Sequence, residues 1–570
     1  MTDPIRLSAL DRHFADFVVR IDRTPCPELW WGAALASHAA GRGHSCFHLH
    51  DSFDSSQLPS VQPLQPLPDV GNWRMALQKC GTVGAPGAYT PLVLDQAGRL
   101  YLHRCWSYER QVADGILSRC RVPVADEAAL EAALDRYFPV NGAEVDLQRA
   151  AARMTLTHRF SVISGGPGTG KTATVARILA LLLDQAGDVR PEIMLAAPTG
   201  KAAARLHQSI LQAVDRLSLR EAIRDGFPCE VRTIHRLLGV RSRGGFRHNP
   251  ANPLACNILV VDEASMVDLQ LMAGLLEALP PAARVILLGD RNQLASVEAG
   301  AVLADICDSA GQAAVPVTHL TKSYRFGSDS GIAAVSRLIN DGEGSAALEL
   351  LQSGRFPDIS WRTLPSGRAF DEAFAAAVRY GYGAYARAVS PEDALASLNS
   401  FRVLSPLRSG PFGIEHLNRQ CEASLDPGHN LLHAGSRPRP VMITGNNYEL
   451  GLFNGDVGVA MELDSVPAVW FEKPEGGLRH ISPLRLPPSE AAFALTVHKS
   501  QGSEFDRVLL ILPDHLSDVL TSELIYTAVT RARSNIEIWG TEVVFRQAVE
   551  RRTLRTSGLR DKLAAGISHD

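Results

Sequence analysis

The sequence lacks the features that would place it in a membrane, a secretory route or a disulfide-stapled scaffold. No stretch of its 570 residues approaches the ~20 consecutive apolar positions that a membrane-spanning helix requires. The opening segment, MTDPIRLSALDRHFADF, carries charges throughout and has no apolar signal core, so a cytoplasmic location is expected. Nine cysteines, at 26, 46, 80, 105, 120, 229, 256, 307 and 421, are odd in number and show no C-x-x-C spacing. That pattern argues against a zinc ribbon or a disulfide framework and for a reducing compartment. An excess of basic charge is missing too: the net charge is −4, so any nucleic-acid surface must be a local positive groove. Neither an internal repeat nor a long low-complexity tract is present.

What is present is an ordinary globular composition, 45% hydrophobic and 21% charged, on a chain too long for one core. Residues 1 to about 135 mix helix-periodic apolar positions (Leu10, Phe14, Phe17, Val18) with strand-like pieces, PLVLD and RLYLHR. From about 140 the texture becomes alternating strands and helices. RFSVISGG, EIMLAAPTG, NILVVDEAS and ARVILLGD read as buried strands ending in polar residues, the edge where ligands sit in a parallel α/β sheet. A second series follows, FRVLSPLR, FALTVHKSQG, RVLLILP and IEIWG. Between about 430 and 490, short strands and Gly-Asp and Asn-Gly turn signals predict a small β-barrel inserted into the second unit.

The chemistry begins at GGPGTGKT, residues 165–172: Gly165, Gly166, Pro167, Gly168, Thr169, Gly170, Lys171 and Thr172. It satisfies G-x-x-x-x-G-K-[ST] between a predicted strand and a predicted helix, the context that marks a phosphate loop. Glycines let backbone N–H groups converge on phosphate, and the helix N-terminus adds partial positive charge. Lys171 is expected to reach the β- and γ-phosphates of ATP and Thr172 to ligate Mg²⁺. ILVVDEAS ends an apolar strand in adjacent carboxylates, with Asp262 expected on Mg²⁺ and Glu263 activating the attacking water. Gln293, in GDRNQL, is a candidate γ-phosphate sensor.

The ordered motifs GGPGTGKT, APTGKAAARL, TIHRLLG, VVDEASM, GDRNQL, LTKSYRF, TVHKSQGSEFD and YTAVTRAR resemble those of superfamily 1 helicases, in the spelling of the RecD family. GRLYLHRCWSYERQVA (98–113) resembles the N-terminal domain of that family. The resemblance implies an α/β fold with two RecA-like parallel-sheet P-loop domains, an N-terminal α/β accessory domain and a small SH3-like β-barrel insertion. The implied boundaries are 1–135 for a partner-binding domain and 136–315 for the first motor domain, with 241–254 a hairpin insertion. Residues 316–430 and 490–570 would form the second motor domain, and 431–489 the barrel. It further implies an ATP- and Mg²⁺-dependent motor moving 5′→3′ on single-stranded DNA. Its partners would be RecB and RecC, acting on duplex DNA ends in break repair and recombination.

By the same resemblance Gln148 reads the adenine edge, Glu504 contacts the nucleotide ribose, and Arg325 and Arg531 approach the γ-phosphate from the second unit. An arginine finger of this kind is worth about 10³–10⁵ in rate. DNA-facing candidates are Thr199, Lys201, Thr233, His235, Thr496, His498, Ser500 and Gln501, small polar groups that hold phosphates without reading bases. The 241–254 hairpin, with Phe246, is either a strand-separating pin or a plain surface hairpin. His44, Cys46, His48 and His50 alternate along one strand face but read as an ordinary strand rather than a metal cluster. No cluster of Asp, Glu and Lys resembles the nuclease site of the partner subunit. A stand-alone RecD-like helicase, an interaction subunit with a vestigial ATPase and an RNA helicase remain alternatives at this point.

Overall fold

The computed structural model describes residues 6–24, 26–49, 70–120, 127–139, 146–187, 189–228, 230–241, 244–310, 315–327, 329–425, 437–447, 449–463, 466–473 and 477–566. Four sheets organise them. Near the N-terminus, the helices Ala9–Ile21 and Pro27–Gly41 pack on a four-stranded sheet ordered Phe47–His48, Arg99–Leu102, Leu92–Leu94, Val83–Gly84. The first helix begins in a capping box: Ser8 accepts from Asp11 N, and the Asp11 carboxylate accepts from Ser8 N.

The first parallel sheet has six strands, ordered Val317–Leu320, Phe160–Gly165, Arg284–Gly289, Ile258–Val261, Ile193–Ala197, Val231–Thr233. All six residues of Phe160–Gly165 are buried, because helices cover both faces of the sheet. A second, five-stranded parallel sheet is ordered Ile359–Thr363, Ala532–Gly540, Phe505–Ile511, Phe401–Ser405, Ala494–Thr496. The insertion between its strands is an antiparallel five-stranded sheet, Leu478–Ile481, Val466–Glu472, Val457–Leu463, Arg439–Ile443, Ser489–Ala491, with a small core of its own around Leu452 and Phe471. Part of the expected 431–489 barrel lies outside the described residues.

Three boundaries differ from the sequence reading. Helix Glu127–Tyr137, assigned to the N-terminal unit, packs Leu130 and Leu134 into the core of the first parallel sheet. Strand Val317–Leu320, assigned to the second unit, pairs in parallel register with Phe160–Gly165, so the crossing between units comes after it. Helix Leu559–Ala565, also assigned to the second unit, returns to the first and buries Leu559 and Leu563 in its core. In each case a short segment carries no local mark of which sheet it joins or covers.

The hairpin is anchored by its phenylalanine. Val240 and Phe246 form an antiparallel bridge, and a β-carbon on Gly274 would collide with the Phe246 ring, so the ring lies flat on helix Leu269–Ala278. Ser242 and Arg243 lie outside the described residues. In the HSCFHLH strand, Cys46 is buried and burial pushes its thiol up, while the Nδ1 of His44 lies 3.0 Å from the amide of Thr556. His50 lies outside the described residues, and among the described ones no group of three His, Cys, Asp or Glu is placed to hold a metal ion.

Candidate active site

Strand Phe160–Gly165 delivers the glycine-rich loop, and helix Lys171–Ala186 starts at its far side. Gly168 (φ 76°) and Gly170 (φ 82°) adopt the left-handed region, which a side chain would strain. Thr169 Oγ1 donates to Gly166 O at 2.9 Å and braces the turn. Lys171 Nζ donates to the carbonyls of Gly165 and Gly166 at 2.6 and 3.1 Å, so its ammonium lies in the bowl of the loop. Thr172 is half-buried in the first helical turn, and Pro167 is half-buried in the loop. Gln148, near the start of helix Leu147–Thr157, brings Nε2 to 2.9 Å from where a β-carbon on Gly170 would stand.

Facing the loop are two neighbouring strand ends. Ile258–Val261 runs into Asp262 and Glu263, and Glu263 (φ 50°) is the one non-glycine residue with positive φ among the described residues. Such strain persists where surrounding structure enforces it, and it clusters at functional sites. Burial and the adjacent Glu263 charge push the Asp262 carboxyl up to about 6, against the pull of Lys171. Strand Arg284–Gly289 runs into Asp290, only 2% exposed, which accepts from Tyr526 Oη at 2.7 Å and from Gln293 Nε2 at 3.3 Å. Gln293 is buried, and its Oε1 has no hydrogen-bond partner among the described residues.

The far wall comes from the crossing segment and the second unit. Tyr324 N donates to Gly168 O at 2.8 Å, and a β-carbon on Gly168 would collide with Arg325 Cβ. Arg325 is therefore pressed against the loop. Its Nη2 pairs with Glu504 Oε1 at 2.9 Å, whereas its Nη1 is buried without a partner among the described residues. Arg531 is 2% exposed and is held by Thr527 O (3.1 Å) and Ser503 O (3.0 Å), with Glu263 and Glu504 as the opposite charges acting most strongly on it. Lys171 thus lies in the loop, Arg325 packs against it, and Arg531 follows the helix whose Tyr526 bonds Asp290 beside it.

Among the expected polymer contacts, Thr199 caps helix Gly200–Arg216 and Thr233 caps helix Ile234–Leu238. His235 is exposed, and Thr496 and His498 are half-buried. Lys201 is half-buried with Nζ 5.9 Å from the centre of the Phe505 ring, and burial followed by the Arg402 charge pushes its ammonium down to about 8. Two assignments are corrected. Ser500 is fully buried and donates to Val497 O, and Gln501 is 8% exposed and donates to Leu294 O at 2.9 Å. Ser500 thus serves the second unit internally, and the Gln501 amide docks that unit on the first.

Glu504, expected on a ribose, instead pairs with Arg205, Arg325 and Arg533. Burial raises its pKa, but Arg205 and then Arg325 overcome that effect and hold the carboxyl at about 2. Tyr526, Asp290 and Arg205 were not singled out from sequence as site residues, although each lies inside a recognised motif. Their partners are 100 to 300 positions away, and no local pattern encodes that pairing.

A model of the RecBCD enzyme subunit RecD N-terminal domain matches residues 5–101, an AAA domain model matches 145–356, and a UvrD-like helicase C-terminal domain model matches 491–536. The RecBCD enzyme subunit RecD of Mycolicibacterium smegmatis is 39% identical over 98% of both chains. This chain belongs to the RecD family. The RecD of Haemophilus influenzae is 33% identical over 92% of both chains. An ATP-dependent RecD2 DNA helicase of Deinococcus radiodurans is 31% identical over 82% of this chain and 59% of its own. Among solved structures, a Bacteroides Pif1 bound to ssDNA aligns over 70% of this chain and 92% of its own at 16% identity and a TM-score of 0.39. Within the RecD family, the subunit relatives match end to end, whereas the RecD2 helicase carries two-fifths of its length outside the match.

The residues present suit a magnesium ion. A buried carboxyl raised by its acidic neighbour is relieved by a divalent cation, and Mg²⁺ is held by one or two protein oxygens with substrate phosphates and water completing its shell. Asp262 and Thr172 are the donors such an ion would use.

Proposed function

We propose that the chain is an ATP-dependent translocase and helicase moving 5′→3′ on single-stranded DNA. It works in the cytoplasm with RecB and RecC on duplex DNA ends during break repair and recombination. The observation that carries the reading is the seam: Arg325 is pressed on the phosphate loop with a buried Nη1 that has no partner among the described residues, and Arg531, just before strand Ala532–Gly540 of the second parallel sheet, is buried with Glu263 as its strongest opposite charge. A triphosphate bound by Lys171 is then completed only by groups reaching from across the cleft.

Lys171 and the loop amides orient the phosphates, and Gln148 borders the base. Glu263 accepts a proton from the attacking water. Mg²⁺, held by Thr172 and Asp262, would neutralise charge on the β- and γ-phosphoryl oxygens. Arg325 and Arg531 stabilise the charge that develops on transfer, an electrostatic effect magnified in a dry seam. Loss of the γ-phosphate removes the reason for the two units to stay closed, so each turnover shifts Thr199, Thr233 and Thr496 relative to one another along a strand. Melting duplex ahead of the motor costs about 1.4 kcal/mol per base-pair step.

The end-to-end match to RecD subunits, including the N-terminal domain, supports the subunit over the stand-alone helicase. An unwinding assay with 5′- and 3′-tailed duplexes, run with and without RecB and RecC at stated salt, tests the reading. Unwinding by this chain from 5′ tails, abolished by Lys171→Gln, is expected. Unwinding from 3′ tails alone, or an unaffected Lys171→Gln variant, contradicts it.

A further inference from the structure

Arg205 lies one turn beyond Lys201 on helix Gly200–Arg216, the helix whose first turn is capped by Thr199. We infer that Arg205 is a positioning residue that transmits the helix's grip on a polymer to the arginines of the nucleotide site.

Three observations carry this. First, the guanidinium of Arg205, on the first unit, pairs with Oε1 of Glu504, on the second, and Arg325 Nη2 is 2.9 Å from that same oxygen. Two arginines thus share one acceptor atom, and Arg533 takes the other oxygen at 3.2 Å. Second, the ion pair is one of three consecutive contacts along this helix face. A β-carbon on Gly502 would stand 3.5 Å from Ala202 Cβ, and Lys201 Nζ lies over the Phe505 ring. The start of the helix and the Gly502–Phe505 segment therefore move against each other when the units do. Third, the carboxylate that Arg205 holds is itself only 6% exposed and also bonds Arg533, so Arg205 reaches from a half-exposed helix into a buried cluster of guanidinium groups.

The physical consequence follows from rigidity. Four residues of α-helix span about 6 Å, so a phosphate gripped at the helix N-terminus displaces Arg205 with it. While Arg205 holds Glu504, that carboxylate is shared among Arg205, Arg325 and Arg533, so its hold on Arg325 is weaker than in a lone pair and Nη1 and Nη2 turn toward phosphate at lower cost. Without Arg205, Glu504 has one fewer competitor and retains Arg325. The nucleotide site then closes less often on a loaded strand. The inference deepens the motor reading and rests on it.

The test is steady-state ATP hydrolysis by the purified full chain, titrated with ATP and with oligo(dT). It compares the wild type, R205Q, E504Q, the R205Q/E504Q pair and K171Q. R205Q is expected to lower kcat at saturating oligo(dT) by about 10- to 100-fold, the cost of misplacing a group near the chemistry. The oligo(dT) concentration giving half stimulation should move less than about twofold. Because the two residues act through one carboxylate, the double variant should be no worse than the poorer single variant. An unchanged kcat in R205Q overturns the inference, as do strictly additive effects. A tenfold weaker half-stimulation with kcat intact also overturns it, since it would make Arg205 a polymer contact. If R205Q fails to fold, R205K, which keeps the charge but loses the planar fork, undergoes the same comparison against the same outcomes. A wild-type chain that K171Q matches, or that oligo(dT) does not stimulate, contradicts the motor reading itself.

Discussion

The hydroxyl of Tyr526 donates to Oδ2 of Asp290 at 2.7 Å, tying helix Ser522–Val529 of the second unit to the strand end beside the phosphate loop of the first. Two further bonds cross nearby, Leu294 N to Thr527 Oγ1 at 3.0 Å and Gln501 Nε2 to Leu294 O at 2.9 Å. The seam is therefore a specific hydrogen-bonded joint as well as a cleft, and its donors sit within reach of the nucleotide: a β-carbon on Gly166 would lie 3.1 Å from Tyr526 Oη.

Tyr526→Phe keeps the ring and deletes the hydroxyl. Asp290, buried and already raised by burial, would lose one of its donors. Such a loss costs about 1–3 kcal/mol, equivalent to about 5- to 150-fold in a coupled equilibrium. DNA-stimulated ATP turnover is expected to fall by a factor in that range, with far-UV circular dichroism unchanged. Turnover equal to the wild type would show that closure does not use this bond.

Glu504 gives a pH prediction whose sign is fixed by its depressed pKa. The three arginines hold its carboxyl at about 2, against an ordinary 4.5. The stabilisation it supplies is complete above pH ~4.5 and is lost as pH falls through about 2. The difference amounts to roughly 3 kcal/mol by linkage. Urea unfolding of the wild type and Glu504→Gln should therefore differ by about that amount at pH 7, and the gap should narrow steadily below pH ~4.5. A gap that instead widened in acid would contradict the arginine-held carboxylate.

Much of this site is legible in the sequence because its parts are local. A glycine-rich loop between an apolar strand and a helix needs only its neighbours to be recognised, and the strand ending in Asp262 and Glu263 announces itself in the same way. The parallel sheets follow from continuous apolar strands alternating with helices. What the chain does not spell out is pairing across distance. Nothing near Ser500 or Gln501 says that one turns inward and the other docks on Leu294. Nothing near Arg205 names Glu504, and nothing near Leu559 sends that helix back to the first unit. The hairpin of Phe246 reads equally as a pin or a plain surface hairpin until Gly274 is seen to make room for its ring.

The returning C-terminal segment yields a prediction about stability. Glu109 is fully buried and is bonded by Ser45 Oγ (2.5 Å), Ser557 Oγ (3.0 Å), Gly558 N (3.0 Å) and Lys562 Nζ (2.6 Å). Arg555 adds bonds to the carbonyls of Ser296, Glu298 and Gly300. Removing the Glu109 charge leaves Lys562 facing a neutral partner, and breaking a buried pair costs about 3–5 kcal/mol. In Glu109→Gln, amide hydrogens of residues 555–563 should exchange about 10²–10⁴ times faster, while those of strand Phe505–Ile511 should not change. Unaltered protection of 555–563 would mean that the segment is held elsewhere.

The central claim is that ATP is hydrolysed in the seam with arginines supplied from across it. The most direct measurement is single-turnover ATP hydrolysis by Arg325→Ala on single-stranded DNA, alongside nucleotide affinity measured by equilibrium binding. The account predicts a rate lower by about 10³-fold or more with ATP affinity changed only a few-fold. Hydrolysis at the wild-type rate in that variant would contradict it.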